Sequence, residues 1–110
     1  MSATWNRTPI RDEQWRPLPN AGKQTLSDEQ DTAAGGRDQR TIIDSAPALG
    51  RVALKVKYNR IYAELRWQSN CQCHSRYLGQ VAARSRAENL TAAWQLAKNL
   101  GLVSDTSVPV

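Results

Sequence analysis

The 110-residue chain has no long hydrophobic run, and that absence sets the first boundary. Nothing in it approaches the roughly eighteen consecutive apolar residues of a membrane-spanning helix, so no membrane partner is expected. The opening residues, Met1 to Arg7, lack the apolar stretch of a signal peptide, and a cytoplasmic location is the expectation. Cysteine is scarce: Cys71 and Cys73 stand too close together to staple anything useful. Histidine is scarcer still, with His74 alone. Cys71-x-Cys73-His74 offers three metal-capable side chains where a structural zinc site needs four spread donors, so neither metal nor cofactor is expected. Acidic residues are few where catalysis would need them. Only Glu64, Glu88 and Asp105 follow residue 49, and no paired carboxylates or Ser/His/acid set can be assembled from them. Ala34-Gly-Gly-Arg37 lacks the Gly-Lys-Ser/Thr ending of a phosphate loop. No catalysis is expected.

Long aliphatic residues are thin over 1–49, where they are Ile10, Leu18, Leu26, Ile42, Ile43 and Leu49, with Trp5 and Trp15 apart from them. Such a composition buries too little apolar area to offset chain entropy. Residues 1–49 are therefore expected to be a disordered or partner-docking tail. Within it, Ser27-Asp-Glu-Gln30 resembles a helix start that Gly35 and Gly36 soon end. Trp15-Arg-Pro-Leu-Pro19 could dock on a protein partner, which makes residues 5–20 the candidate protein-binding stretch. Residues 104–110 read as a frayed terminus.

Residues 50–103 are the candidate domain, about fifty residues long and marginal in core size. Charge concentrates there. Residues 1–49 carry six basic and seven acidic side chains, a net of −1, while 50–110 carry nine and three, a net of +6. A basic half beside a near-neutral one is the footprint of a polyanion partner.

From Val52 the hydrophobic period becomes two. Val52, Leu54, Val56 and Tyr58 share one side, with Ala53, Lys55 and Lys57 on the other. Asn59 marks a hairpin turn. Ile61, Ala63, Leu65 and Trp67 then alternate with Arg60, Tyr62, Glu64, Arg66 and Gln68. Gln68 to Gln72 reads as a wider loop before a third strand over about Cys73 to Gly79. Its alternation is poor and leaves the sides of Arg76 and Tyr77 open; a core Leu78 would put Tyr77 outward and force Arg76 to an edge or a bulge. The helix from Arg86 to about Leu100 opens with a Ser85/Glu88 capping box and carries a stripe of Leu90, Ala93, Trp94, Ala97 and Leu100. Lys98 suits its last turn and Gly101 its end. The predicted fold class is α+β: a three-stranded antiparallel sheet packed on one C-terminal helix, preceded by a disordered N-terminal tail.

If that helix seals the apolar side, the opposite side presents Lys55, Lys57, Arg60, Tyr62 and Arg66, with Arg76 or Tyr77 nearby and Glu64 as the single acid. Arg84 and Arg86 add charge at the helix entry, beside backbone N–H groups that favour phosphate. A two- or three-stranded ribbon fits a major groove about 12 Å wide, where arginine reads guanine through paired hydrogen bonds and lysine holds phosphate. The nine residues from Lys55 to Arg86 named here are the candidate DNA-binding set. Two alternatives stay open: an RNA or single-strand binder in which Tyr62 and Tyr77 stack on bases, and an adaptor that docks through the stretch around Trp15.

Lys55-Val-Lys-Tyr-Asn-Arg-Ile-Tyr-Ala-Glu-Leu-Arg-Trp67, then Ser75-Arg-Tyr-Leu-Gly79, then Ser85-Arg-Ala-Glu-Asn-Leu-x-x-Ala-x-x-x-Ala97, resembles the N-terminal arm-type DNA-binding domain of phage-type tyrosine integrases. The resemblance spans residues 52–100 and rests on pattern, not on an invariant motif. It implies a sheet lying in the major groove, with Lys55, Lys57, Tyr62, Arg66 and Arg76 or Tyr77 near DNA. It makes Leu65, Trp67, Leu78, Leu90, Trp94 and Ala97 core. The chain departs from the family in having Ser69-Asn-Cys-Gln72 where a Gly-Lys turn is usual. The family's catalytic Arg, His-x-x-Arg and Tyr find no counterpart in these residues. Non-catalytic duplex DNA binding linked to DNA recombination is the expectation.

Overall fold

The computed structural model describes residues 10–43 and 48–103. Three strands, β1 (Arg51–Lys57), β2 (Arg60–Ser69) and β3 (Gln72–Val81), form one antiparallel sheet in chain order. A helix, α1 (Lys23–Ala34), precedes the sheet, and a second, α2 (Arg86–Asn99), follows it. The α+β class and the C-terminal helix on a three-stranded sheet are as the alternation and capping signals predict.

Both hairpins turn tightly. Lys57 pairs with Arg60, and the two residues between them, Tyr58 and Asn59, have φ of 52° and 62°. Ser69 likewise pairs with Gln72 across Asn70 and Cys71, at 54° and 62°. Two left-handed residues in a two-residue connection make the turn whose twist suits antiparallel strands. Asparagine tolerates that backbone in both turns, through a short side chain that can bond locally. The expected wide loop at 68–72 is therefore a turn, and β2 and β3 run three pairs past the end of β1. Tyr58 belongs to the turn and is exposed, rather than extending the apolar side.

Strand register puts Val52 opposite Leu65, Leu54 opposite Ala63 and Val56 opposite Ile61 on one face. Onto this face α2 lays Leu90, Ala93, Trp94 and Ala97, all fully buried. Each large side chain removed from water in this way contributes about 1.5–3 kcal/mol. Leu100, expected in the stripe, is exposed, and Asn89 is buried in its helix instead. Ser85 Oγ accepts from Glu88 N at 3.2 Å and so starts α2. Gly101, at φ 73°, ends it, with Leu102 N bonding Ala97 O. A bulge between Ala63 and Glu64 of the register gives β3 one extra residue, the buried Leu78. Gly79 beside it adopts φ 147°, and an added Cβ would meet Leu96 Cδ1 at 3.2 Å. Its lack of a side chain lets β3 approach α2.

The expected disordered tail is overturned for residues 10–43, which are folded against the domain. Gln30 of α1 is the reason for much of this. Its side chain receives Val52 N at 2.9 Å and donates to Val52 O at 3.0 Å, so it acts as a strand partner along the outer edge of β1. The same Gln30 Oε1 accepts from Trp94 Nε1 at 3.0 Å. Arg40 is also buried, bonded to Gly50 O at 3.0 Å and to Asp31 Oδ1 at 2.6 Å. Lys98 reaches Ala34 O at 2.7 Å and caps α1 as well as charging the end of its own helix. Ile42 enters the core beside Val103, its bridge partner. Gly50 lets it do so, because a Cβ there would lie 2.8 Å from both Ile42 Cδ1 and Leu65 Cδ1. Trp15 packs against the core from a short 3-10 turn at Asp12–Gln14, held by Asn89 Nδ2 to Gln14 O at 2.7 Å and by Gln14 Nε2 to Ala83 O at 3.0 Å. This part of the candidate docking stretch thus packs on the chain's own α2. The expectations for Trp5 and for the frayed terminus at 104–110 lie outside the described residues.

Candidate nucleic-acid interface

The face of the sheet opposite α2 is built by the same register. Arg51 sits across from Arg66, Ala53 from Glu64, Lys55 from Tyr62 and Lys57 from Arg60. On the far side of β2, Tyr62 faces Gln80, Glu64 faces Tyr77 and Arg66 faces Ser75. Neither helix packs over these residues: α2 contacts all three strands from the Val52/Leu65 side, and α1 borders the β1 edge through Gln30. Five cations, Arg51, Lys55, Lys57, Arg60 and Arg66, therefore share one open surface.

Among the described residues Glu64 is the one acid on it. Its Oε1 accepts from Arg66 Nε at 2.6 Å and lies 3.7 Å from Lys55 Nζ. The Arg66 hydrogen bond, outweighing the cost of partial burial, holds the Glu64 carboxyl below its ordinary value, with Lys55 adding to the effect. At neutral pH Glu64 is thus ionised and offsets one charge of the five, leaving the surface strongly positive. It also orders Arg66 and Lys55 side by side on adjacent strands, which reduces the entropy they would lose on gripping a ligand. Tyr62 and Tyr77 meet on the same surface with ring centroids 6.2 Å apart at a 44° tilt. Lys57 Nζ stands 5.4 Å from the centre of the Tyr58 ring.

Among the nine residues expected at the interface, Lys55, Lys57, Arg60, Tyr62, Arg66 and Tyr77 fall together on the open face. Three do not. Arg76 pairs with Leu65, so the bulge leaves it on the helix side of the sheet, exposed along the β3 edge. Arg84 is exposed in the connection from β3 to α2, away from the strands. Arg86 is engaged elsewhere. Its guanidinium meets both carboxylate oxygens of Glu29 at 2.9 Å and donates to Trp15 O, which ties α2 to α1 and to the N-terminal segment. It is a structural clamp, not a free cation.

Arg51 was absent from the expected set because it lies at the first position of β1, where alternation has barely begun. Its signal was available: it shares parity with Ala53, Lys55 and Lys57. Lys23, the first residue of α1, lines the same shallow concavity as Arg51, Lys55, Glu64 and Arg66. The sequence signal for this helix begins only at Ser27, one turn after Lys23, and nothing in it brings the helix to the sheet.

The Cys71-x-Cys73-His74 stretch does not converge. Cys71 occupies the turn, Cys73 pairs with Gln68 on the open side, and His74 pairs with Trp67 on the other, where the two rings stack at 5.5 Å. Among the described residues no group of three or more His, Cys, Asp or Glu is placed to hold a metal ion, and no helix is long and apolar enough to cross a membrane. Comparison of the chain with family models, with curated proteins and with solved structures gave no match.

Proposed function

We propose that this protein is a small, non-catalytic module that binds duplex DNA through the open face of its sheet. The single observation that carries the reading is the collection of Arg51, Lys55, Lys57, Arg60 and Arg66 on one surface that, among the described residues, no helix covers and only one acid, Glu64, shares. A three-stranded sheet presents these side chains as a ribbon able to enter a major groove about 12 Å wide. In this reading Arg60 and Arg66 reach base edges, where a planar fork can make two hydrogen bonds to guanine. Lys55, Lys57 and Arg51 hold the flanking phosphates, which fix register without reading sequence. The resemblance to integrase arm-binding domains favours the same surface and supports a role in DNA recombination or its regulation.

The test is a titration of duplex DNA at rising salt. The three phosphate contacts assigned to Arg51, Lys55 and Lys57 release counterions with a log–log slope of about −3. A flat salt response, or single-stranded DNA of the same sequence displacing the duplex, would end the duplex reading.

A further inference from the structure

Building on the duplex reading, we propose that a cleft walled by Tyr58, Tyr62 and Tyr77 seats an unpaired nucleobase, so that the full ligand is duplex DNA carrying a single-stranded extension. The open face is not uniform along its length. Arg51 and Arg66 lie opposite one another toward one end of the β1–β2 pairing, while Lys57, Tyr58 and Arg60 form the turn at the other. At the turn end, a cleft is lined by Lys55, Lys57, Tyr58, Tyr62, Glu64 and Tyr77. Tyr58 is 78% exposed and Tyr77 59% exposed, so two large rings stand in water with little of their area used for packing.

A continuous duplex has little use for such walls. Each paired base has both of its faces covered by its neighbours in the stack, and only base edges are on offer in the groove. An unpaired base has free faces, and every base can stack on a tyrosine ring. The remaining groups of the cleft fit the rest of a nucleotide. Lys55 and Lys57 are placed for the phosphates on either side of the base. Arg66 and Lys55 both meet Oε1 of Glu64, which leaves Oε2 to accept from the exocyclic amino group of adenine, cytosine or guanine. The basic end then grips the paired region and the aromatic end its unpaired continuation.

The experiment measures affinity of the whole chain for a blunt duplex and for the same duplex with a single-stranded extension on one strand. Wild type is expected to prefer the extended probe by roughly five- to a hundredfold, the gain of stacking one base on an aromatic ring. Tyr77→Ala should lose most of that preference, weakening the extended probe by at least about fivefold more than the blunt duplex. Tyr77→Phe should keep the preference, since the ring and not the hydroxyl does the stacking. A thermal melt matching wild type establishes that Tyr77→Ala is folded, and Tyr62→Ala repeats the test from the neighbouring ring. Equal wild-type affinity for the two probes, or an equal loss on both in Tyr77→Ala, overturns the cleft proposal and leaves the duplex reading standing. Failure of wild type to bind the blunt duplex at low salt strikes the duplex reading itself and takes this inference with it.

Discussion

On the α2 side of β2, Ile61, Ala63 and Leu65 have almost no contact with water, while on the opposite side of the same strand Arg60 is exposed and Tyr62, Glu64 and Arg66 are half-exposed. One backbone, with side chains alternating at a period of two, supplies both surfaces. The difference lies in what covers them. Trp94 and its helix neighbours fill the first face and convert it into folding energy. The second keeps its cations solvated, so its charge contributes little to stability and remains available to a ligand. Substitutions on the first face should therefore unfold the protein, and substitutions on the second should change what it binds.

The sharpest way to break that contrast is Trp94→Ala. Loss of a fully buried indole costs about 3–5 kcal/mol, a large part of the total for a small domain, and it also removes the donor to Gln30. Chemical denaturation should show a protein largely unfolded in buffer. Gln30→Ala comes next, although its residue is polar. It strands Val52 N and Trp94 Nε1 without an acceptor in a buried site, at an expected cost of about 2–3 kcal/mol read by the same measurement.

On the open face Arg66→Ala should leave the unfolding free energy within about 1 kcal/mol of wild type, because its ion pair is partly solvated. It should instead weaken duplex binding by about 1–3 kcal/mol and relax sequence preference at the base it reads. Loss of folding in that variant would contradict the division of labour between the faces.

The smallest effect is a pH effect. Glu64 is held below its ordinary value of 4.5 mainly by Arg66, and Asp31 below 3.8 mainly by Arg40. A carboxylate with a depressed folded value stabilises the fold above its unfolded value and loses that contribution as pH falls through the folded one. Stability should hold level above about pH 4.5 and decline below it. Glu64→Gln should remove a share worth less than about 1 kcal/mol, given its partial exposure. An unaltered acid limb in Glu64→Gln would show that the Arg66 contact contributes nothing to folding.

Much of this architecture was legible in the residues. Clean alternation through β1 and β2 fixed the faces, and the Ser85/Glu88 pair located the start of α2. That is enough to group Lys55, Lys57, Arg60, Tyr62 and Arg66. The remainder depended on interactions that no local period encodes. Helix α1 has few apolar side chains, and its key buried residue is Gln30, which earns burial through hydrogen bonds to Val52 and Trp94 from distant parts of the chain. Composition reads such a helix as solvent-bound. Arg86 likewise reads as available charge at the helix entry, whereas Glu29 of the distant α1 holds it. The sides of Arg76 and Tyr77, open in the sequence, follow from the buried Leu78: Tyr77 faces outward with Glu64, and the bulge leaves Arg76 on the helix side at the β3 edge.

The carboxamide that lines the rim of β1 has a practical corollary for anyone wishing to transplant this module. Cutting just ahead of Arg51 would strip the first strand of its substitute neighbour, orphan an indole and discard Ile42, leaving Val103 without its bridge partner. A portable version must begin upstream of Lys23, and a shorter excerpt should emerge as insoluble material instead of a smaller binder.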